Sequence, residues 1–133
     1  MSCSRTYTLG AAVGGAGTAT KSEETPWAIV GSLLAVGIVY KDSPPAATTD
    51  VTVSTVAEGG MPSQSVVSLT DAATDTVIYP THSLTNAAGA AQTYDGTRAI
   101  KAPLVVAGRF TIAIAQANEG DYVVVTFVYE GEG

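Results

Sequence analysis

Residues 25 to 45 read TPWAIVGSLLAVGIVYKDSPP, the most apolar stretch of the chain, and its fate limits what the remaining residues can build. From Trp27 to Tyr40 the run lasts fourteen residues. A helix needs roughly 20 apolar residues to cross a bilayer, so a membrane span is not expected. Pro26 and Lys41-Asp42 bound the run, and Gly31, Ser32 and Gly37 interrupt it. VGIVY is β-branched and aromatic, and glycine is a poor helix former, so a buried helix is disfavoured too. The remaining reading is extended: two strand pieces, WAIVG and LLAVGIVY, with Gly31 marking a bend or bulge between them.

The length, 133 residues, is that of one domain. A chain of this size removes roughly two thirds of its unfolded surface from water, enough for one core. Only 14% of the residues are charged, against about 25% in an average globular domain. Ala, Gly, Thr, Val and Ser take their place, and a surface of small uncharged side chains costs little to desolvate against a partner. The net charge is −6, and the basic residues Arg5, Lys21, Lys41, Arg98, Lys101 and Arg109 are scattered. No run of them could neutralise successive phosphates, so nucleic acid is not an expected partner. Cys3 is the only cysteine; no internal disulfide can form, in keeping with a protein made in a reducing cytoplasm. RTYTLGAAVGGAGTA is too broken by glycine, Tyr7 and threonine to be a secretory signal core.

Tyr7, Leu9, Ala11 and Val13 alternate with Thr8, Gly10 and Ala12 as a weak strand or arm, and GGAGTATKSEETP reads as a loop. Residues 1–24 are therefore expected to form an extended N-terminal arm and loop ahead of a β-domain over 25–133. KDSPPAATTD is a polar turn, and VTVSTV places Val51, Val53 and Thr55 on one face. SVVSL and DTVIY are short strands around the turn TDAAT. YPTHSLTNAAGAAQTYDGTRAIKAP is a long connection with little period, the kind that is usually functional or packed on something. LVVAG follows, then the alternations of Phe110, Ile112 and Ile114 and of Val123, Val125, Phe127 and Tyr129, with QANEGD expected as a hairpin turn between them. The last strand is apolar on both faces, which places it within a sheet or against another subunit. Eight or nine short strands without an amphipathic helix predict an all-β, single-domain β-sandwich, jelly-roll-like in character.

Chemistry-bearing groups are sparse. His82 is the only histidine, so no second imidazole can complete a zinc set, and a hydrogen-bonded loop histidine is expected. Glu23, Glu24, Asp71, Asp75, Asp95, Glu119, Asp121, Glu130 and Glu132 fall mostly in turns or the tail, where acidic side chains bond local backbone. None of them forms an evident glycosidase pair, and TDAATD lacks the dense oxygen ligands of a calcium loop. No serine occupies a G-x-S-x-G elbow, and GAAVGGAG is not followed by Lys-Ser/Thr. Neither enzymatic activity, a cofactor nor a metal is expected.

Read in order, IVGSLLAVGIVYKDSPPAATTDVTVST and VVSLTDAATDTVIYPTHSLTNAAGAAQTYDGTRAIKAPLVVAGRFTIAIAQANEGDYVVVTFVYE resemble small virion structural proteins of tailed bacteriophages. The residues that carry the resemblance are Asp75, Tyr79, Pro80 and Gly89, then Ile100 and Gly108 to Ile114, then Val124 to Glu130. It implies a capsid decoration, or cement, protein that binds the major capsid protein on the virion exterior. Such a protein would be made in the host bacterial cytoplasm and act as a dimer or trimer. On that implication residues 1–20 and the loop 80–99 make the contacts, and removal of 1–20 leaves the β-domain folded. Tyr7, Leu9, Tyr79, His82 and Tyr94 are the interface candidates. The alternatives are a carbohydrate- or receptor-binding β-sandwich, which requires an exposed aromatic beside Asp or Asn, and a phage tail or neck component.

Overall fold

The computed structural model describes residues 2–40, 46–58 and 60–132; Lys41 to Pro45 of the expected polar turn lie outside them. The described strands are β1 (Ser2–Thr8), β2 (Ala19–Glu24), β3 (Ile29–Tyr40), β4 (Asp50–Thr55), β5 (Ser65–Leu69), β6 (Thr76–Ile78), β7 (Thr81–Ser83), β8 (Lys101–Gly108), β9 (Phe110–Ala117) and β10 (Val123–Glu132). They form two antiparallel sheets. One has the order β1-β10-β3-β8-β7, with β6 also pairing β3, and the other has the order β2-β9-β4-β5. The chain is an all-β sandwich, as its alternation predicts.

Among the eight longer strands only β4 and β5 follow one another within a sheet; every other step crosses to the opposite sheet. This corrects the expected β9–β10 hairpin. β9 pairs β2 and β4, whereas β10 pairs β1 and β3. The inward residues Phe110, Ile112 and Ile114 therefore face Val123, Val125, Phe127 and Tyr129 across the core, all of them buried. Phe110 and Phe127 stack with centroids 4.4 Å apart, and Trp27, on the β2–β3 crossover, sets its edge against both at 6.5 and 5.8 Å. Asp121, almost fully buried, holds the arch: its carboxylate accepts from the Asn118 amide at 2.8 Å, and its carbonyl from the Ala12 amide at 2.8 Å.

The N-terminal arm is corrected as well. β1 pairs β10 over its whole length, and β2 pairs β9. Leu9, Ala12 and Ala19 are core residues. Removing residues 1–20 would strip an edge strand and three buried side chains, so the expected folded remnant does not fit this architecture. Strand β1 stays in place because its inward side chains bond the body of the sandwich. Arg5 lies 5.3 Å over the Trp27 ring and donates to the Tyr129 hydroxyl at 3.3 Å.

The apolar run is one strand, not two. β3 passes unbroken through Gly31, and its bulge falls at Leu34, opposite the Val128–Tyr129 step of β10. Gly31 serves a different purpose from the predicted bend. It pairs directly with Gly131, and both have positive φ (+148° and +153°). A Cβ at Gly31 would collide with the Glu130 carbonyl oxygen, and one at Gly131 with that of Val30. Two facing glycines let the backbones of β3 and β10 approach where no side chain fits. Gly31→Ala is expected to destabilise the fold by on the order of 3 kcal/mol, through steric overlap and an unfavourable φ. Gly37→Ala, whose Cβ meets only the Thr126 oxygen at 4.0 Å, is expected to cost far less. Urea unfolding of the two variants measures the difference.

Candidate functional site

Two surfaces stand out from the sandwich. The first is the segment between β7 and β8, expected as an irregular loop and found as an ordered flap. Its base is a closed set of backbone hydrogen bonds: Leu84 N to Ile100 O at 2.8 Å, Gln92 N to Leu84 O at 2.8 Å, and Ile100 N to Gln92 O at 3.0 Å. Isolated bridges Thr85–Ala91 and Thr93–Ala99 extend it outward. Every side chain from Thr85 to Arg98 is exposed, so no core holds this segment; turn chemistry does. Asn86 Oδ1 accepts from the amides of Ala88 (2.9 Å) and Ala90 (3.0 Å). Asp95 Oδ1 accepts from those of Thr97 (2.9 Å) and Arg98 (2.7 Å), while Thr93 Oγ1 accepts from Gly96 N at 3.1 Å. The Arg98 and Thr97 amides, with the Arg98 guanidinium ion-paired at 2.9 Å, hold the Asp95 carboxyl below its ordinary pKa. Arg98 also lies 5.6 Å from the Tyr94 ring centroid, and Tyr94 is 64% exposed beside it.

The second surface is the outer face of the β1-β10-β3-β8-β7 sheet. Alternation sends Val30 and Val39 of β3, Val77 of β6 and Val105 of β8 outward, and Tyr79 follows Val77 in the same phase. These five are among the eight large hydrophobic residues exposed on the described chain. Gly37 and Ala35 lie between Val30 and Val39 along β3, and on its other side β10 adds Val124, Thr126 and Val128, with Ser4, Thr6 and Thr8 of β1 beyond. Glu130, which accepts from Ser2 Oγ at 2.6 Å, and Lys101 are charged, and at the rim Asp75, in phase with Val77, accepts from the Tyr40 amide at 2.9 Å. The opposite sheet differs: none of the exposed large hydrophobic residues belongs to β2, β4, β5 or β9.

The sequence-derived candidates separate accordingly. Tyr79, 71% exposed, lies on the valine face and Tyr94 on the flap. His82 is half-buried in β7, its Nδ1 3.1 Å from the Ser83 carbonyl oxygen. Tyr7 sits on β1, at the far edge of the same sheet. Its hydroxyl donates to Glu23 Oε1 at 3.0 Å, so it links the two sheets. Leu9 is corrected: at 1% exposure it is core and cannot anchor a partner. The residues missed from sequence are Val30, Val39, Val77 and Val105, whose clustering depended on strand order.

Outside these surfaces Arg109, Glu58 and Glu24 are engaged structurally. Glu58 receives the Arg109 amide at 2.8 Å and its guanidinium at 3.0 Å, and Arg109 also reaches Glu24 at 3.2 Å. Among the described residues no group of three or more His, Cys, Asp or Glu is placed to hold a metal. An open depression of about 390 Å³ beside the valine face is lined by Ala28, Val30, Glu58, Ala107 and Gly108, and Glu58 there is committed to Arg109. No family model, no curated protein and no solved structure matches the chain.

Two expectations follow. Replacing Asn86 and Asp95 together by Ala should speed amide exchange across residues 86–98 by about tenfold or more while leaving global melting unchanged, because the flap opens independently of the core. Glu23 supplies a pH dependence. The Gly10 amide, then the Tyr7 hydroxyl and Lys21, hold its carboxyl below the usual value of 4.5. A depressed folded pKa contributes stability that is complete above 4.5 and lost as pH falls through the lower folded value. The melting temperature should therefore drop on acidification below about pH 4.5, and less steeply in Glu23→Gln.

Proposed function

We propose that this chain is a non-catalytic structural protein of a bacteriophage particle, bound to the outside of the capsid lattice where it cements adjacent capsomers. The observation that carries this reading is the flap. The chain orders a fully exposed segment, at the entropic cost that ordering entails, without using it to build a core. A pre-ordered protrusion of Ala, Thr, Gly and Asn with Tyr94 near its tip binds a surface with little further loss of freedom. The strand order supports a jelly roll. The eight longer strands interleave as β1-β10-β3-β8 over β2-β9-β4-β5, the arrangement of two nested Greek keys that viral capsid and lectin domains share. A fold alone leaves function open, so the flap and the phage-like residue pattern carry more weight.

The mechanism is linkage. A subunit that binds the assembled lattice and not dissociated shell protein stabilises the lattice by mass action. Many copies that each touch neighbouring capsomers add avidity. The partner is the major capsid protein and the location the virion exterior. One observation favours a second reading: Tyr94 stands exposed beside Asp95, the pairing that a sugar-stacking platform requires.

Quantitative densitometry of purified particles against the major shell protein tests the proposal. A stoichiometry near one to one, with occupancy lowered at least tenfold by Tyr94→Ala, is the expected outcome, that fold-change being about 1.4 kcal/mol of docking energy. A handful of copies would assign the chain to the tail or neck. Absence from particles, together with Tyr94-dependent binding on a glycan array, would replace the proposal with the carbohydrate-binding one.

A further inference from the structure

We propose that Asp95 is a site of spontaneous backbone isomerisation to isoaspartate, held back by the hydrogen bonds of the flap tip. The proposal concerns the chain alone and does not depend on what the flap binds.

Asp95-Gly96 is the single place in the sequence where Asp or Asn precedes Gly. Ring closure brings the amide nitrogen of the following residue onto the Asp side-chain carbon. A side chain on that residue obstructs the approach, and glycine has none. The surroundings are open as well: a Cβ placed on Gly96 would meet nothing within 4 Å. Residues 85–98 are exposed throughout, so water reaches the pair.

The step balances with water alone. From the protonated carboxyl, Asp95 Cγ loses its hydroxyl as the Gly96 nitrogen gives up its hydrogen and bonds to that carbon. Hydroxyl and hydrogen leave together as water, and a cyclic imide remains. Water then adds back. Attack at Cγ restores aspartate. Attack at the main-chain carbonyl carbon breaks its bond to the Gly96 nitrogen, so the chain runs through Cβ and Cγ and the free carboxylate sits on Cα. Composition is unchanged.

The closed flap opposes each requirement. The Gly96 N–H is committed to Thr93 Oγ1 at 3.1 Å. Asp95 Oδ1 accepts from the Thr97 and Arg98 amides at 2.9 and 2.7 Å, and Oδ2 from the Arg98 guanidinium at 2.9 Å. These bonds hold the carboxyl in its ionised form, which does not close the ring. Every one of these partners belongs to the flap and none to the core. They are released together when the flap opens, an event that costs less than global unfolding. Isomerisation therefore proceeds at the rate of the open segment multiplied by the open fraction. The product also perpetuates itself. Isoaspartate lengthens the loop that the Tyr94 amide and Arg98 carbonyl close at 3.3 Å, and it draws the carboxylate back from the Thr97 and Arg98 amides. An isomerised flap stays open and no longer holds Tyr94 in one place.

Incubation of the folded full chain near neutral pH tests the proposal, followed by digestion with an endoproteinase that cuts before aspartate and not before isoaspartate. Isoaspartate should accumulate at Asp95 ahead of every other Asp or Asn. It should form about fivefold faster in Thr93→Ala, which removes one hydrogen bond of the tip, and faster still in the urea-unfolded chain. The isomerised chain, separated chromatographically, should exchange the amides of residues 86–98 about tenfold faster or more, with unchanged melting. Isoaspartate appearing first elsewhere would overturn the proposal, as would none at Asp95 after about a hundredfold the time the unfolded chain needs. Equal rates in wild type and Thr93→Ala, or an isomerised chain with unchanged exchange, would overturn it too. Should Thr93→Ala lose its native circular dichroism, folded against unfolded wild type decides alone, and equal rates there would overturn the proposal.

Discussion

The stack of Phe110 on Phe127 is the contact on which the rest of the structure turns. Its two rings come from strands adjacent in sequence but lying in opposite sheets, 4.4 Å apart. An aromatic pair of this kind contributes about 0.5–1.5 kcal/mol beyond its buried area, and it exists only if the chain arches across the core after β9. Thr25 fixes the β9 ring from behind. Its amide donates to Phe110 O at 2.8 Å and its hydroxyl oxygen accepts from Phe110 N at 3.0 Å, so the β2–β3 crossover is tied to the strand that carries the stack. Trp27 closes the open side, and Arg5 closes over Trp27. The N-terminal strand is thus held by the same aromatic cluster that sets the arch.

That dependence explains what the residue pattern revealed and what it hid. Period-two alternation identifies which side chains point inward: Val51, Val53 and Thr55 are all buried, as are the alternating residues of β9 and β10. Alternation is silent about neighbours. A hairpin and an arch bury the same residues of β9 and β10, and they differ only in whether the backbones pair or the faces oppose. The Gly31 reading failed for a related reason. Glycine within an extended run marks either a bend or a close approach, and only the opposing Gly131, a hundred residues away, distinguishes them. Leu9 continued the alternation of an apparent arm, yet its amide donates to Val123 O at 3.0 Å and carries it into the core. In the flap, Asp95-Gly96 was legible as a turn, whereas the clasp of Leu84, Gln92 and Ile100 joins residues that no local rule relates.

The polar residues at the open edge of the sandwich show how a chain with few charges distributes them. Glu23 points inward from β2, where a hydrophobic residue would complete the core, and it binds the Gly10 amide at 2.9 Å and the Tyr7 hydroxyl. The bond between the two edge strands is therefore polar and ties one sheet to the other. A wholly apolar edge would have joined the sheets equally well but left two sticky strands exposed. Charge is spent along the edges and at the β8–β9 switch, where Arg109 gathers Glu24 and Glu58.

The consequence is an asymmetric molecule. One sheet turns mostly Ser, Thr and Ala outward; the other turns valines outward in a plane that carries few charges. Isolated exposed valines carry no meaning, but five of the eight exposed large hydrophobics on one face are not isolated. That face carries most of the apolar surface left exposed after folding. The flap emerges at the β7 side and not from the centre of the plane. The flat apolar plane and the pre-ordered protrusion draw on different residues, so a substitution in one leaves the other intact.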